Sequence, residues 1–193
     1  MMRPLKLVLF GAMALAQLAV PTWMIVGREW ALRNGTTFKF LTAPIDPYDA
    51  FRGRYVALAF DAYHVPVDSL DGWFSGDIAY VTVEEGPDGY ARLASASKTP
   101  PATPNYIKTT MSYPMPADSN SVTPNTNEIC VELPFDRFYM EETLAPKAEQ
   151  AYREHSTRTT HDCYAAVRIY NGQAAIENLY IVGKPIGEYL IQE

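Results

Sequence analysis

The sequence predicts a mainly β chain of the α+β kind: an N-terminal transmembrane helix followed by an antiparallel β-rich barrel or sandwich with one short helix. Three observations carry this reading. Residues 7–26 form an uncharged apolar run of 20 residues, the length that crosses a hydrocarbon core of ~30 Å at ~1.5 Å per residue. Two pairs of strand-like segments flank short turn sequences. After the run only residues 142–155 place apolar side chains at helical spacing.

The run comes first. Arg3 and Lys6 precede it, and Trp23 and Trp30 fall where an interfacial aromatic belt sits. The basic flank predicts a cytoplasmic N-terminus and export of everything after about residue 34. A cleaved signal peptide is the competing reading, because Ala12, Ala14 and Ala16 offer A-x-A triplets. Against it, the apolar run continues ~10 residues beyond such a site, where an h-region should have ended. Pro21 is tolerated in a membrane helix. Asn34-Gly35 then reads as a stop, since both residues accept a left-handed backbone.

Charge separates the same two parts. Arg3, Lys6, Arg28 and Arg33 against Glu29 leave residues 1–33 at +3, so the remaining residues hold −9 of the net −6. With a pI near 5.1 the chain lacks the basic excess that a phosphate backbone demands, and nucleic acid is excluded as a partner. The expected division is an anchor at 1–34 and a domain at 35–193.

Strand patterns follow the anchor. Phe38 and Phe40 alternate with Lys39, and in residues 56–62 Val56, Leu58, Phe60 and Ala62 share one face. Segments 78–85 and 90–97 flank Gly86-Pro87-Asp88-Gly89, while 163–170 and 173–182 flank Asn171-Gly172, a strong hairpin signal. Between Lys98 and Glu128 six prolines mark a loop interrupted by a strand candidate at 106–113. This stretch can divide two lobes, 35–113 and 128–193. Residues 142–155, with Pro146 in the first turn and Leu144, Ala148, Ala151 and Tyr152 on one side, form the expected helix.

The most informative segment is 44–60, PIDPYDAFRGRYVALAF. Asp46-Pro47 and Asp49 mark a turn, Gly53 permits a tight bend, and Tyr55 enters a strand. Arg52 and Arg54 stand within reach of Asp46 and Asp49, so Arg–carboxylate forks can brace the turn. The same loop, with Tyr48, Phe51 and Tyr55 beside the arginines, also has the residue types of a recognition surface.

Here the chain resembles the bacterial membrane-anchored proteins of the GDYxxLxY family, in which a segment like D-P-R-D-x-x-R-G-D-Y-V-x-L-x-Y follows a membrane helix. The match runs through Asp46, Pro47, Asp49, Arg52, Gly53, Tyr55, Val56 and Leu58. Two positions depart: Arg54 replaces an aspartate, and Phe60 replaces the closing tyrosine. A role that needs that carboxylate is therefore not carried over. Arg137, Phe138, Tyr139 and Glu141 are similar to a later E-R-F-F-V-P-E-G block, and residues 165–183 to the family's closing hairpin. The resemblance implies a bacterial envelope protein, sometimes encoded beside a multi-spanning membrane protein; together with the basic flank and the apolar run, the expectation is an inner-membrane anchor with a periplasmic domain. It implies a fold and a location, not a reaction.

Other chemistry is thin. Ser95-Ala-Ser-Lys98 has S-x-x-K spacing, but Thr99-Pro100-Pro101 forbids the helix that the motif requires. His155, His161, Asp162 and Cys163 lack the recurring ligand spacing of a closed zinc site, and His64 has no neighbour in sequence to act with. No metal site and no cofactor motif is read. Cys130 and Cys163, both in strand candidates, can pair in an oxidising compartment or remain buried thiols. The expectation is a single-pass envelope protein acting as a binding or accessory module. The alternative is a hydrolase-like envelope enzyme built from sequence-distant residues such as Asp46, Asp49, Arg137, Glu141 or a histidine.

Overall fold

The structure, a computed structural model, describes residues 3–44, 55–117, 126–156 and 162–192. It opens with α1, Arg3–Asn34, which contains Pro21. Through residue 26 the side chains described on α1 are almost all exposed, and the helix is long and apolar enough to cross a membrane. Its last turns behave differently: Gly27, Ala31 and Gly35, four residues apart, bring the backbone against strands β10 (Cys163–Tyr170) and β11 (Gln173–Ile181). Ala31 is buried.

Gly35 corrects the expected left-handed stop. It is not among the residues with positive φ, and its amide still donates to the Ala31 carbonyl at 2.8 Å. Glycine is needed there for space. A Cβ would collide with the Ala31 carbonyl oxygen and lie 2.9 Å from that of Ile169.

Two five-stranded antiparallel sheets follow. The first joins β11 and β10 to β1 (Thr36–Ala43), with β3 (Ala59–Phe60) and β12 (Lys184–Pro185) at its edges. The second has the order β4 (His64–Val67), β8 (Asn127–Glu132), β7 (Tyr106–Met115), β5 (Ile78–Glu85) and β6 (Ala91–Ser97). Both expected hairpins form. Asn171 and Gly172 have φ values of 46° and 85°, as a two-residue type I′ turn requires. That turn also reaches the second sheet, where the Gly172 carbonyl accepts from the Lys108 amide and the Gly172 amide donates to Tyr106.

One apolar core lies between the sheets. Phe40, Phe60 and Phe135 meet edge-to-face with ring centroids 5.1–5.9 Å apart, and Val81, Ile107, Ile129, Val167 and Leu179 extend the same cluster. Helix α2, Ala145–His155, covers one side through Ala148, Ala151 and Tyr152. The buried Tyr152 hydroxyl donates to the Ala43 carbonyl at 2.7 Å and accepts from the Ala59 amide at 3.3 Å, joining helix to β1 and β3.

Several expectations are corrected. Within the proline-rich stretch, β7 pairs with β8 at its far end in one sheet, and both contribute to the core cluster. The strand expected at 56–62 breaks at Leu58, where the chain leaves β2 (Tyr55–Ala57) for β3 in another sheet. β4 was not expected. A second short helix, α3 (Ile186–Gln192), adds to the one foreseen, with Ile186 and Leu190 in the core.

Candidate functional site

The two family-like blocks, about 80 residues apart in sequence, meet as a two-stranded ribbon of β2 and β9 (Arg137–Tyr139). Tyr55 pairs with Tyr139, Val56 with Phe138 and Ala57 with Arg137, and the Leu58 amide donates to the Asp136 carbonyl at 2.8 Å. Strand alternation then divides the labour. Val56, Leu58 and Phe60 are buried in the core, whereas Tyr55, Arg137 and Tyr139 lie on the open side.

On that side the Arg137 guanidinium stands 5.1 Å over the Tyr55 ring, and the Tyr55 and Tyr139 rings are 5.6 Å apart. A hydrogen bond with Tyr139, with Asp136 3.5 Å away, holds the Arg137 pKa above its ordinary value. The cation is thus fixed in direction while its side chain stays 43% exposed. A tilted aromatic pair thus presents an arginine on the open side of the ribbon.

Beside it runs a groove of about 500 Å³ between the ribbon, β11 and the last turns of α1. Arg137 and Tyr139 line one wall, Trp23, Met24 and Arg28 the other, and residues 173–176 the floor. A second hollow of about 310 Å³ opens beside α1, with Trp23, Val26 and Trp30 facing Tyr170 and Gln173. Helix and domain therefore share both concavities.

Not every expected site residue joins this place. Asp46, Asp49, Arg52, Gly53 and Arg54 lie outside the described residues. Leu58 and Phe60 are core. Phe138 is half-buried against that core. Glu141 builds the entry to α2: its carbonyl accepts from the Leu144 and Ala145 amides, and its carboxylate accepts from the Thr143 hydroxyl at 2.8 Å. Trp23, Met24 and Arg28 were legible only as helix flank, since nothing in sequence foretells that α1 packs against β11.

The other candidates separate. Ser95 sits within β6, and Lys98 is held by Asp77 at 2.8 Å, so the S-x-x-K pair is not assembled. His155 meets the Tyr189 hydroxyl at 3.0 Å, and His161 is outside the described residues. Among the described residues no three of His, Cys, Asp and Glu converge as a metal site. Cys130 and Cys163, for which a bridge and buried thiols were both open, are free thiols in different sheets. Cys163 faces the core, where burial pushes its thiol pKa up to about 11. Cys130 instead meets His64 and Met115.

Comparison with known proteins agrees with the two blocks. No curated protein and no solved structure matches the chain. A family model described as "GDYXXLXY protein" matches residues 17–179, from the second half of α1 to β11. The aligned span takes in the ribbon, the second sheet, most of the first and the docked end of the helix, and the chain belongs to the GDYXXLXY protein family.

Proposed function

We propose that this protein is a single-pass membrane protein of the bacterial inner membrane whose periplasmic domain is a binding or accessory module for a membrane partner. The observation that carries the reading is the continuity of α1. One helix holds both the uncharged run and the Gly27 and Ala31 side that packs on the domain, with Gly35 directly after it, so no free linker separates them. A helix that crosses the bilayer over residues 7–26 then sets the groove at the membrane surface.

The groove suits a partner that is itself membrane-embedded. Trp23 and Met24 offer apolar and interfacial surface at that depth, while Arg28 and Arg137 offer cations beside it. Helix ends and short loops of a multi-spanning protein carry the matching chemistry: apolar side chains followed by carboxylates or backbone carbonyls. Arg3 and Lys6 before the run favour an N-terminus in the cytoplasm.

Crosslinking and pull-down from native membranes test this, with Arg137→Ala and Arg28→Ala compared with the wild type and with Arg52→Ala and Arg54→Ala. Loss of a recovered membrane protein in the groove variants, with the chain still in the membrane fraction, supports the reading. Unchanged recovery in all four removes the arginines as a docking surface. A periplasm-active reporter fused after Glu193 tests orientation separately, and activity of a cytoplasm-only reporter there overturns it.

A further inference from the structure

We propose that His64, Met115 and Cys130, on the outer face of the second sheet, form a site for a soft monovalent cation, copper(I). Strand β8 sends Ile129 and Val131 into the core, so Cys130 between them points to the opposite face. A side chain on an outer face is normally exposed. Cys130 is only 2% exposed and does not belong to the core cluster. The Tyr113 side chain is hydrogen-bonded to it, and His64 and Met115 stand against it.

Pairing explains the convergence. Cys130 lies opposite His64 on β4 and opposite Tyr113 on β7, and Met115 follows two residues later on the Tyr113 side. The Cys130 Sγ is 3.4 Å from His64 Nδ1 and 3.5 Å from Met115 Sδ. Donors bound to one ion at about 2.0–2.3 Å stand about 3.5–4 Å apart, so the Cys130 sulfur already lies near ligating separation from each of the other two donors. Thiolate, thioether and imidazole together select copper(I) over hard cations, which prefer oxygen. Zinc is disfavoured because a thioether is a poor ligand for it.

The surroundings complete the site. Glu128 Oε2 lies 3.5 Å from His64 Nδ1, the nitrogen that faces Cys130, so copper bound there displaces this contact, and the Tyr63 ring lies 4.0 Å from that of His64. The His64 side chain is about one-third exposed and Met115 38% exposed, which leaves an entry path on their side. Binding balances in charge: one copper(I) enters as the Cys130 thiol gives up its proton to solvent. No redox step is involved.

The test uses the full-length, reduced protein in detergent, titrated anaerobically with copper(I) against a chromophoric copper(I) chelator. One tightly held equivalent is expected. Cys130→Ser should weaken it by about 100-fold or more and Met115→Leu by roughly 10-fold, while Cys163→Ala retains it. X-ray absorption on the wild type should show two sulfurs and one nitrogen around copper, a readout that does not depend on any variant folding. Binding that survives Cys130→Ser, failure to compete with the chelator, or a shell lacking either the nitrogen or the second sulfur would overturn the assignment.

Discussion

The two halves of α1 are built for opposite surroundings. Up to residue 26 the helix carries Leu, Val, Phe, Met and Trp side chains that are largely exposed; Trp23 is 80% exposed. From Gly27 on, one side narrows to Gly27, Ala31 and Gly35, and the backbone itself approaches β10 and β11. Large apolar groups suit a solvent of hydrocarbon, whereas close packing on a sheet needs small ones. One helix thereby fixes the domain to whatever holds its first half.

The comparison can be broken from either side. The largest effect is expected in the exposed half, where Leu15→Arg should cost about 2.5–3.5 kcal/mol of membrane insertion. The measurement is the fraction of protein retained in alkali-washed membranes, and domain stability should not move. In the docked half Gly35→Ala should destabilise the domain by about 1–3 kcal/mol, since the new methyl meets backbone that cannot step aside. Denaturant unfolding in detergent measures it, with membrane retention unchanged.

Gly27→Ala sharpens the contrast within the docked half. An added Cβ there meets only the Gln173 side chain at an ordinary 3.6 Å, so helix propensity should dominate and stabilise by about 0.5–1 kcal/mol. A loss as large as that of Gly35→Ala would show that the helix sits closer than described. The smallest expected effect lies far from the helix. The hydrogen bond from Lys98, helped by the Phe74 amide, lowers the Asp77 pKa. The associated stability is therefore present above the ordinary carboxylate range and lost as pH falls through the lowered value. Lys98→Gln should move the Asp77 titration upward, read by carboxyl NMR, and leave the helix halves untouched.

Local features were legible and non-local ones were not. Asn171-Gly172 states its hairpin outright, because both residues tolerate the positive φ that the turn imposes. The uncharged run states its helix. By contrast the chain breaks at Leu58 because its two sides pair with partners far away, Tyr55 with Tyr139 and Phe60 with Thr42. Alternation alone continues across that break. Helix α3 was hidden because its 7 residues make barely two turns, too short a window for Ile186, Tyr189 and Leu190 to stand out as a period. In the groove, Arg137 and Tyr139 were singled out from sequence, yet Trp23, Met24 and Arg28 join them only through tertiary packing. His64 likewise acquires Cys130 and Met115 by strand pairing.

If α1 enters the bilayer and brings the groove to its surface, Trp23 lies near the headgroup end of the acyl chains. Fluorescence of the Trp30→Phe/Trp73→Phe protein, which keeps Trp23 alone, tests it most directly in vesicles of brominated lipid. Strong quenching by bromines placed near the headgroup end of the acyl chain, weaker towards the chain terminus, is the predicted result. Trp23 emission that no brominated lipid quenches would contradict it.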